Sequence, residues 1–181
     1  MAISTDTKES CTHQRLARVV RPLYTPDERT RRDTSVWTLI QGILAPVQFL
    51  VFLISLFLVL RYLATGNGLA AATWSVVAKT AALYTIMITG CIWEKVVFGR
   101  YLFAPAFFWE DVVSILVLAL HTGYLAALFS GAVSAHNLMY LALAAYTAYV
   151  LNAGQFVWKL RLARLDFAQK QVRISQQGLT T

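Results

Sequence analysis

Four apolar stretches, roughly 37–63, 76–98, 109–129 and 138–158, constrain this chain more than any other feature. Each is close to the about 20 residues that a helix needs to cross the hydrocarbon core of a bilayer. Backbone N–H and C=O groups meet no water there, so a crossing segment must satisfy them within itself, as a helix does. The connections are too short to hold separate domains. The expected fold is all-α: a polytopic membrane protein whose domain, residues 37–160, is a four-transmembrane-helix bundle. Composition agrees, since 57% of the 181 residues are hydrophobic and 14% are charged, against about 25% charged in a typical soluble domain.

The positive residues orient the bundle. Seven of the 16 lysines and arginines precede the first stretch, and five (Lys159, Arg161, Arg164, Lys170, Arg173) follow the last. Lys95 and Arg100 lie between the second and third stretches, and no lysine or arginine lies between the third and fourth. Positive charge collects on the cytoplasmic side, so both termini and the 93–111 linker are expected there. The net charge of +7 would then face anionic lipid headgroups, making the lipid bilayer a partner. No nucleic-acid-binding motif accompanies the charge, and no nucleic acid is expected as a partner. Residues 1–24 read as a disordered basic tail, with no apolar core of a cleavable signal peptide. Residues 25–36 read as a juxtamembrane helix: Thr25-Pro26-Asp27-Glu28 supplies an N-cap, a proline at the first position and a glutamate three after the cap. The segment 161–181 reads as a basic tail, helical for a turn or two beyond the last span.

The linker Trp93–Asp111 is the unusual part. Glu94, Lys95, Arg100, Glu110 and Asp111 are interleaved with seven aromatics, Trp93, Phe98, Tyr101, Phe103, Phe107, Phe108 and Trp109. Ionisable groups at a membrane boundary are costly and mark functional sites, and aromatic walls suit a flat apolar ligand. Further polar residues converge on this end. Gln41 and Gln48 are seven apart, on one helical face, with Pro46 between them. Glu110 and His121 are eleven apart, three turns with almost no angular offset, and Ser114 lies between them. Asn152 and Gln155, three apart, fall in the same half of the last span. The opposite half offers little beyond Lys79, Thr80 and Tyr84.

Each feature has a plainer explanation. Amides in membrane helices often only bond a neighbouring helix, acidic residues favour a helix N-terminus, and Trp93 and Trp109 suit an interfacial aromatic belt. Their joint placement on one side is what favours a site. Cys11 and Cys91 are not positioned for a disulfide, and no CxxC, HExxH, phosphate loop or GxSxG element occurs. A lone histidine suits a metal already held by a macrocycle better than zinc, which takes three or four ligands. Carboxylates, amides and aromatic walls fit proton and water chemistry on a large apolar substrate.

Three segments, RRDTSVWTLIQGILAPVQFLVFLISLFLVLRYL, YTIMITGCIWEKVVFGRYLFAPAFFWEDVVSILVLALHTGYLAAL and AAYTAYVLNAGQFVWKLRLARL, resemble the 3-vinyl bacteriochlorophyllide hydratase family. The likeness covers about residues 24–165 and is densest at WEKVVFGRYLFAPAFFWED. It implies hydration of the 3-vinyl group of a chlorophyllide or bacteriochlorophyllide to a 3-(1-hydroxyethyl) group. It also implies a bacterial inner membrane, cytoplasmic or intracytoplasmic, with other bacteriochlorophyll-synthesis enzymes as partners. No cofactor is expected beyond the magnesium carried by the substrate.

On that substrate the expected catalytic residues are Glu94, Glu110, Asp111 and His121. Glu94 or Glu110 would be the general acid, Asp111 would activate water, and His121 would be a base or the axial ligand of the substrate's magnesium. Gln41, Gln48, Asn152 and Gln155 would hold ring carbonyls or water, and Lys95 or Arg100 the propionate. The alternatives are a non-enzymatic pigment-binding or assembly protein, which would leave the carboxylates idle, and a transporter subunit, which would need a polar lining through both halves.

Overall fold

The computed structural model describes residues 23–177, apart from the side chains of 163, 166, 167 and 169–177. Most of the expected N-terminal tail and the last four residues lie outside the described residues. Five helices follow in order: α1 (Pro26–Thr34), α2 (Val36–Thr65), α3 (Leu69–Phe98), α4 (Phe108–Ser130) and α5 (Ala135–Gln177). No strand occurs among the described residues, so the fold is all-α.

Local chemistry sets the helix ends. The Thr25 hydroxyl accepts the Glu28 N–H at 3.3 Å, and the Glu28 carboxylate accepts the Thr25 N–H at 2.8 Å, which satisfies two donors left over at the start of α1. Ser35 alone joins α1 to α2, and its hydroxyl caps α2 by accepting the Trp37 N–H at 3.2 Å. α1 therefore cannot wander from the bundle, and it folds back onto α3. α3 begins at Leu69, seven residues before the apolar stretch at 76, because the preceding LAAATWS is alanine-rich and propagates helix without raising hydropathy. α2 runs unbroken through Pro46.

The helices form two antiparallel hairpins, α2–α3 and α4–α5. Gly66 and Gly68, at φ +72° and +87°, make the first turn possible in three residues, since side chains are disfavoured in that region. Contact within each hairpin is dense, whereas contact between the hairpins is sparse. An apolar core of Phe52, Val59, Val76, Val117, Met139 and Tyr146 joins them away from the 99–107 linker.

Polarity is reversed relative to a soluble bundle. Large apolar side chains such as Trp74 (72% exposed) and Phe129 (81% exposed) face outward, while Gln48, Lys79, Glu94, Asp111, His121 and Asn152 are buried. An outward apolar surface this extensive is what lipid contact requires. α2, α3 and α4 are long and apolar enough to cross a membrane. The fourth apolar stretch forms the first part of α5, which continues as one 43-residue helix to Gln177, well beyond the one or two extra turns expected.

Candidate active site

A cavity of about 1980 Å³ lies between the hairpins where their mutual contact thins, with α1 and Phe107 lining its mouth. It exceeds the roughly 300–1,000 Å³ of ordinary small-molecule pockets. Its width comes from missing side-chain volume: Gly42, Ala45, Gly90, Ala153 and Gly154 all line it. A proline nitrogen donates no hydrogen bond, so Pro46 leaves the Gly42 carbonyl without its intrahelical donor, and both residues are on the cavity wall.

Glu94, in the last turn of α3, and Asp111, in the first turn of α4, meet on this wall. Both are buried, both line the cavity, and their carboxyls lie within hydrogen-bonding reach of each other. The linker holds them in place. Phe103 donates its N–H to the Asp111 Oδ2 at 2.7 Å, and Ala104 donates its own to the Glu94 Oε2 at 3.5 Å. Phe103 has φ +59°, a left-handed conformation costing a non-glycine residue about 1–2 kcal/mol. That conformation makes the linker a small nest, with successive N–H groups turned toward anions.

The other expected site residues separate into two groups. Gln41, Gln48 and Asn152 line the cavity. Gln41 donates to Thr89 Oγ1 at 2.7 Å. Asn152 donates to Ser114 Oγ at 2.9 Å, leaving its buried Oδ1 without a partner among the described residues. Glu110, His121, Gln155, Lys95 and Arg100 do not line it. Glu110 is ion-paired with Lys159 Nζ at 2.6 Å. His121 donates from Nδ1 to the Val117 carbonyl at 2.8 Å, and its ring is tilted against that of Tyr146 with centroids 5.9 Å apart. Gln155 is exposed. Lys95 donates to the Gly99 carbonyl at 3.0 Å, and Arg100 is exposed.

The stripe Glu110–Ser114–His121 does share one face, but that face packs on α5, meeting Lys159, Asn152 and Tyr146 in turn. Of that stripe only Ser114 also lines the cavity, whereas Asp111, one residue and about 100° round the helix from Glu110, faces it.

Several wall residues carry no clear signal in the sequence. Tyr24 stacks on Phe98 at 5.7 Å, under the Arg32 guanidinium at 4.6 Å. Burial raises the Tyr24 phenol above its usual range, against the hydrogen bond and charge of Arg32, so the hydroxyl stays neutral. Trp93 Nε1 donates to Thr38 Oγ1 at 2.9 Å, and Thr38 Oγ1 donates to the Arg32 carbonyl at 2.6 Å. Three helices are thereby tied together at the mouth. At the far end Tyr149 lines the cavity, and Lys79 Nζ lies 3.5 Å from its ring centroid. Lys79 is fully buried, without a hydrogen-bond partner among the described residues. The half of the bundle away from the linker is thus more polar than expected, with Ser55 bonded to Ser75 at 2.7 Å and to the Tyr146 hydroxyl.

Residues 24–162 match the family model described as 2-vinyl bacteriochlorophyllide hydratase. A protein of that name from Cereibacter sphaeroides is 68% identical over 152 residues, 83% of this chain and 94% of the relative. One from Rhodobacter capsulatus is 64% identical over 151 residues, 83% of this chain and 87% of the relative. No solved structure matches the chain. With a family match across both hairpins, and relatives covered over most of their length, the chain belongs to the 2-vinyl bacteriochlorophyllide hydratase family.

Proposed function

We propose that this protein is a membrane-bound hydro-lyase that adds water across the vinyl group on ring A of a bacteriochlorophyllide, giving a 1-hydroxyethyl group. That vinyl is position 2 in the older numbering of the macrocycle and position 3 in the systematic one. α2 to α5 each cross a bacterial inner membrane, with both termini and the 99–107 linker in the cytoplasm. The observation that carries the site assignment is the Glu94–Asp111 pair on the wall of a cavity large enough for a macrocycle.

Two carboxylates have only acceptor atoms, so they hydrogen-bond each other only with one proton between them. Asp111 receives the shorter backbone hydrogen bond, 2.7 Å against 3.5 Å, so the proton is assigned to Glu94. Glu94 gives it to the terminal vinyl carbon, forming a C–H bond. The positive charge then rests on the inner carbon, conjugated with the ring. Water forms the C–O bond there, and its surplus proton returns to the carboxylate pair. The sum is addition of one water, with no redox change. The unpartnered Asn152 Oδ1 is assigned to hold that water, its amide orientation fixed by Ser114. Gln41 and Gln48 face the ring's polar substituents. Glu110 and His121 are assigned no contact with substrate, and magnesium enters only as part of it.

The test is product analysis with purified full-length protein, the vinyl pigment and ¹⁸O-labelled water. Label in a new hydroxyethyl group is expected. Pigment that binds and returns with its vinyl group intact would make the protein a carrier.

A further inference from the structure

Three arginines, Arg29 and Arg32 from α1 and Arg164 from α5, line the cavity, and the cavity wall has no lysine among the described residues. The guanidinium is the cation with a rigid planar fork matched to a carboxylate. One carboxylate is already among them. Asp33 sits 2.6 Å from Arg32 Nη2 and 3.9 Å from Arg29 Nε. The remaining acids on the wall, Glu94 and Asp111, are engaged with each other and with the linker N–H groups. Three guanidinium groups and the Asp33 carboxylate therefore line the same apolar cavity, with Arg29 and Arg32 both beside Asp33. Two of the cations are held in position. Arg32 lies over the Tyr24 ring and grips Asp33 through Nε and Nη2, and Arg29 stands one turn away on the same short helix. Arg164, on the opposite hairpin, has no hydrogen bond or ion pair with any described residue.

We infer that Arg29, Arg32 and Arg164 form a carboxylate clamp that receives the free propionate of the bacteriochlorophyllide. This rests on the hydratase reading for the identity of the substrate. Arg164 closes on the propionate from α5 while Arg32 and Arg29 meet it from α1, so the substrate bridges the two hairpins at the mouth. The clamp takes the place expected for Lys95 or Arg100, neither of which reaches the cavity. It also gives the site a means of telling a free-acid pigment from an esterified one, because an ester has lost the anionic oxygen that charge-assisted bonds require.

The experiment compares the free-acid vinyl pigment with its propionate methyl ester, using full-length protein in detergent, by absorption titration for Kd and by hydroxyethyl product for turnover. The wild-type protein is expected to bind the free acid about 10-fold more tightly than the ester, the scale of one hydrogen bond to a charged group. Arg164→Gln is the first variant, since Arg164 supports nothing else in the described fold, and it should bring the acid-to-ester ratio toward one. Arg164→Lys should restore only part of the preference. Equal wild-type affinity for acid and ester would overturn the clamp. So would an Arg164→Gln variant that weakens both pigments equally, as expected if the arginine met only lipid phosphate or α1. The titration reads the clamp without turnover, so a preference without product would leave the clamp standing and sink the hydratase reading.

Discussion

Glu94 and Asp111 come from different hairpins, yet their carboxyls are brought together by the adjacent N–H groups of Phe103 and Ala104. The linker acts as the jig for the pair. If that pair moves the proton, Glu94→Gln and Asp111→Asn should each lower kcat by at least about 100-fold, the usual contribution of a positioned acid or base. Pigment binding, followed by absorption titration, should persist. Retained turnover in either variant would remove that residue from the mechanism.

Glu110 provides the contrast. Its carboxylate is spent on Lys159 across the α4–α5 contact, so Glu110→Gln should act on stability, by about 1–3 kcal/mol for a buried charge-assisted bond. Thermal unfolding in detergent checks this, with kcat expected to fall far less than in Glu94→Gln.

The nest can be tested at Phe103. Asparagine tolerates the left-handed region and keeps the N–H, whereas proline is locked near φ −65° and has none. Phe103→Asn should retain most activity, and Phe103→Pro should lose it. Equal activity in the two variants would separate the backbone conformation from catalysis.

Gly42 has nothing within 4 Å of an added Cβ. Gly42→Ala should stabilise the protein by about 0.5–1 kcal/mol, the helix propensity gained over glycine. Gly42→Phe should project its ring into the cavity and weaken pigment binding without unfolding the chain. Pigment titration alongside thermal melts distinguishes the two effects.

Lys79 is buried, with the faces of Tyr149 and Phe52 beside its amino group and no hydrogen-bond partner for it among the described residues. Replacing an unpartnered buried polar group by a similar apolar one is neutral or stabilising. Lys79→Met should therefore raise the melting temperature. A fall would mean that the contact with Tyr149 outweighs the cost of burying the amino group.

Much of the architecture is legible in the residue pattern. The apolar stretches locate the long helices, and Thr25 to Glu28 mark a helix start, because both signals are local. The face shared by Glu110, Ser114 and His121 is also legible, since helical geometry fixes it. What that face meets is not, because the pairing of α4 with α5 is a tertiary choice that turns the stripe into a helix contact. A rotation of one residue decides that Asp111, not Glu110, sees the cavity. Three residues separate buried Asn152 from exposed Gln155 in the same way. The left-handed turn at Phe103 has no glycine to announce it. The cavity arginines are hidden among many basic residues until the fold sorts them.

The cavity wall carries glycine or alanine at five positions, Gly42, Ala45, Gly90, Ala153 and Gly154, all on continuous helices and none in a loop. Its bore is therefore gauged in single carbon atoms. A relative handling a bulkier or slimmer macrocycle could be re-bored by exchanging one methyl group at a time along α2, α3 or α5, leaving every helix end and the carboxyl pair where they are.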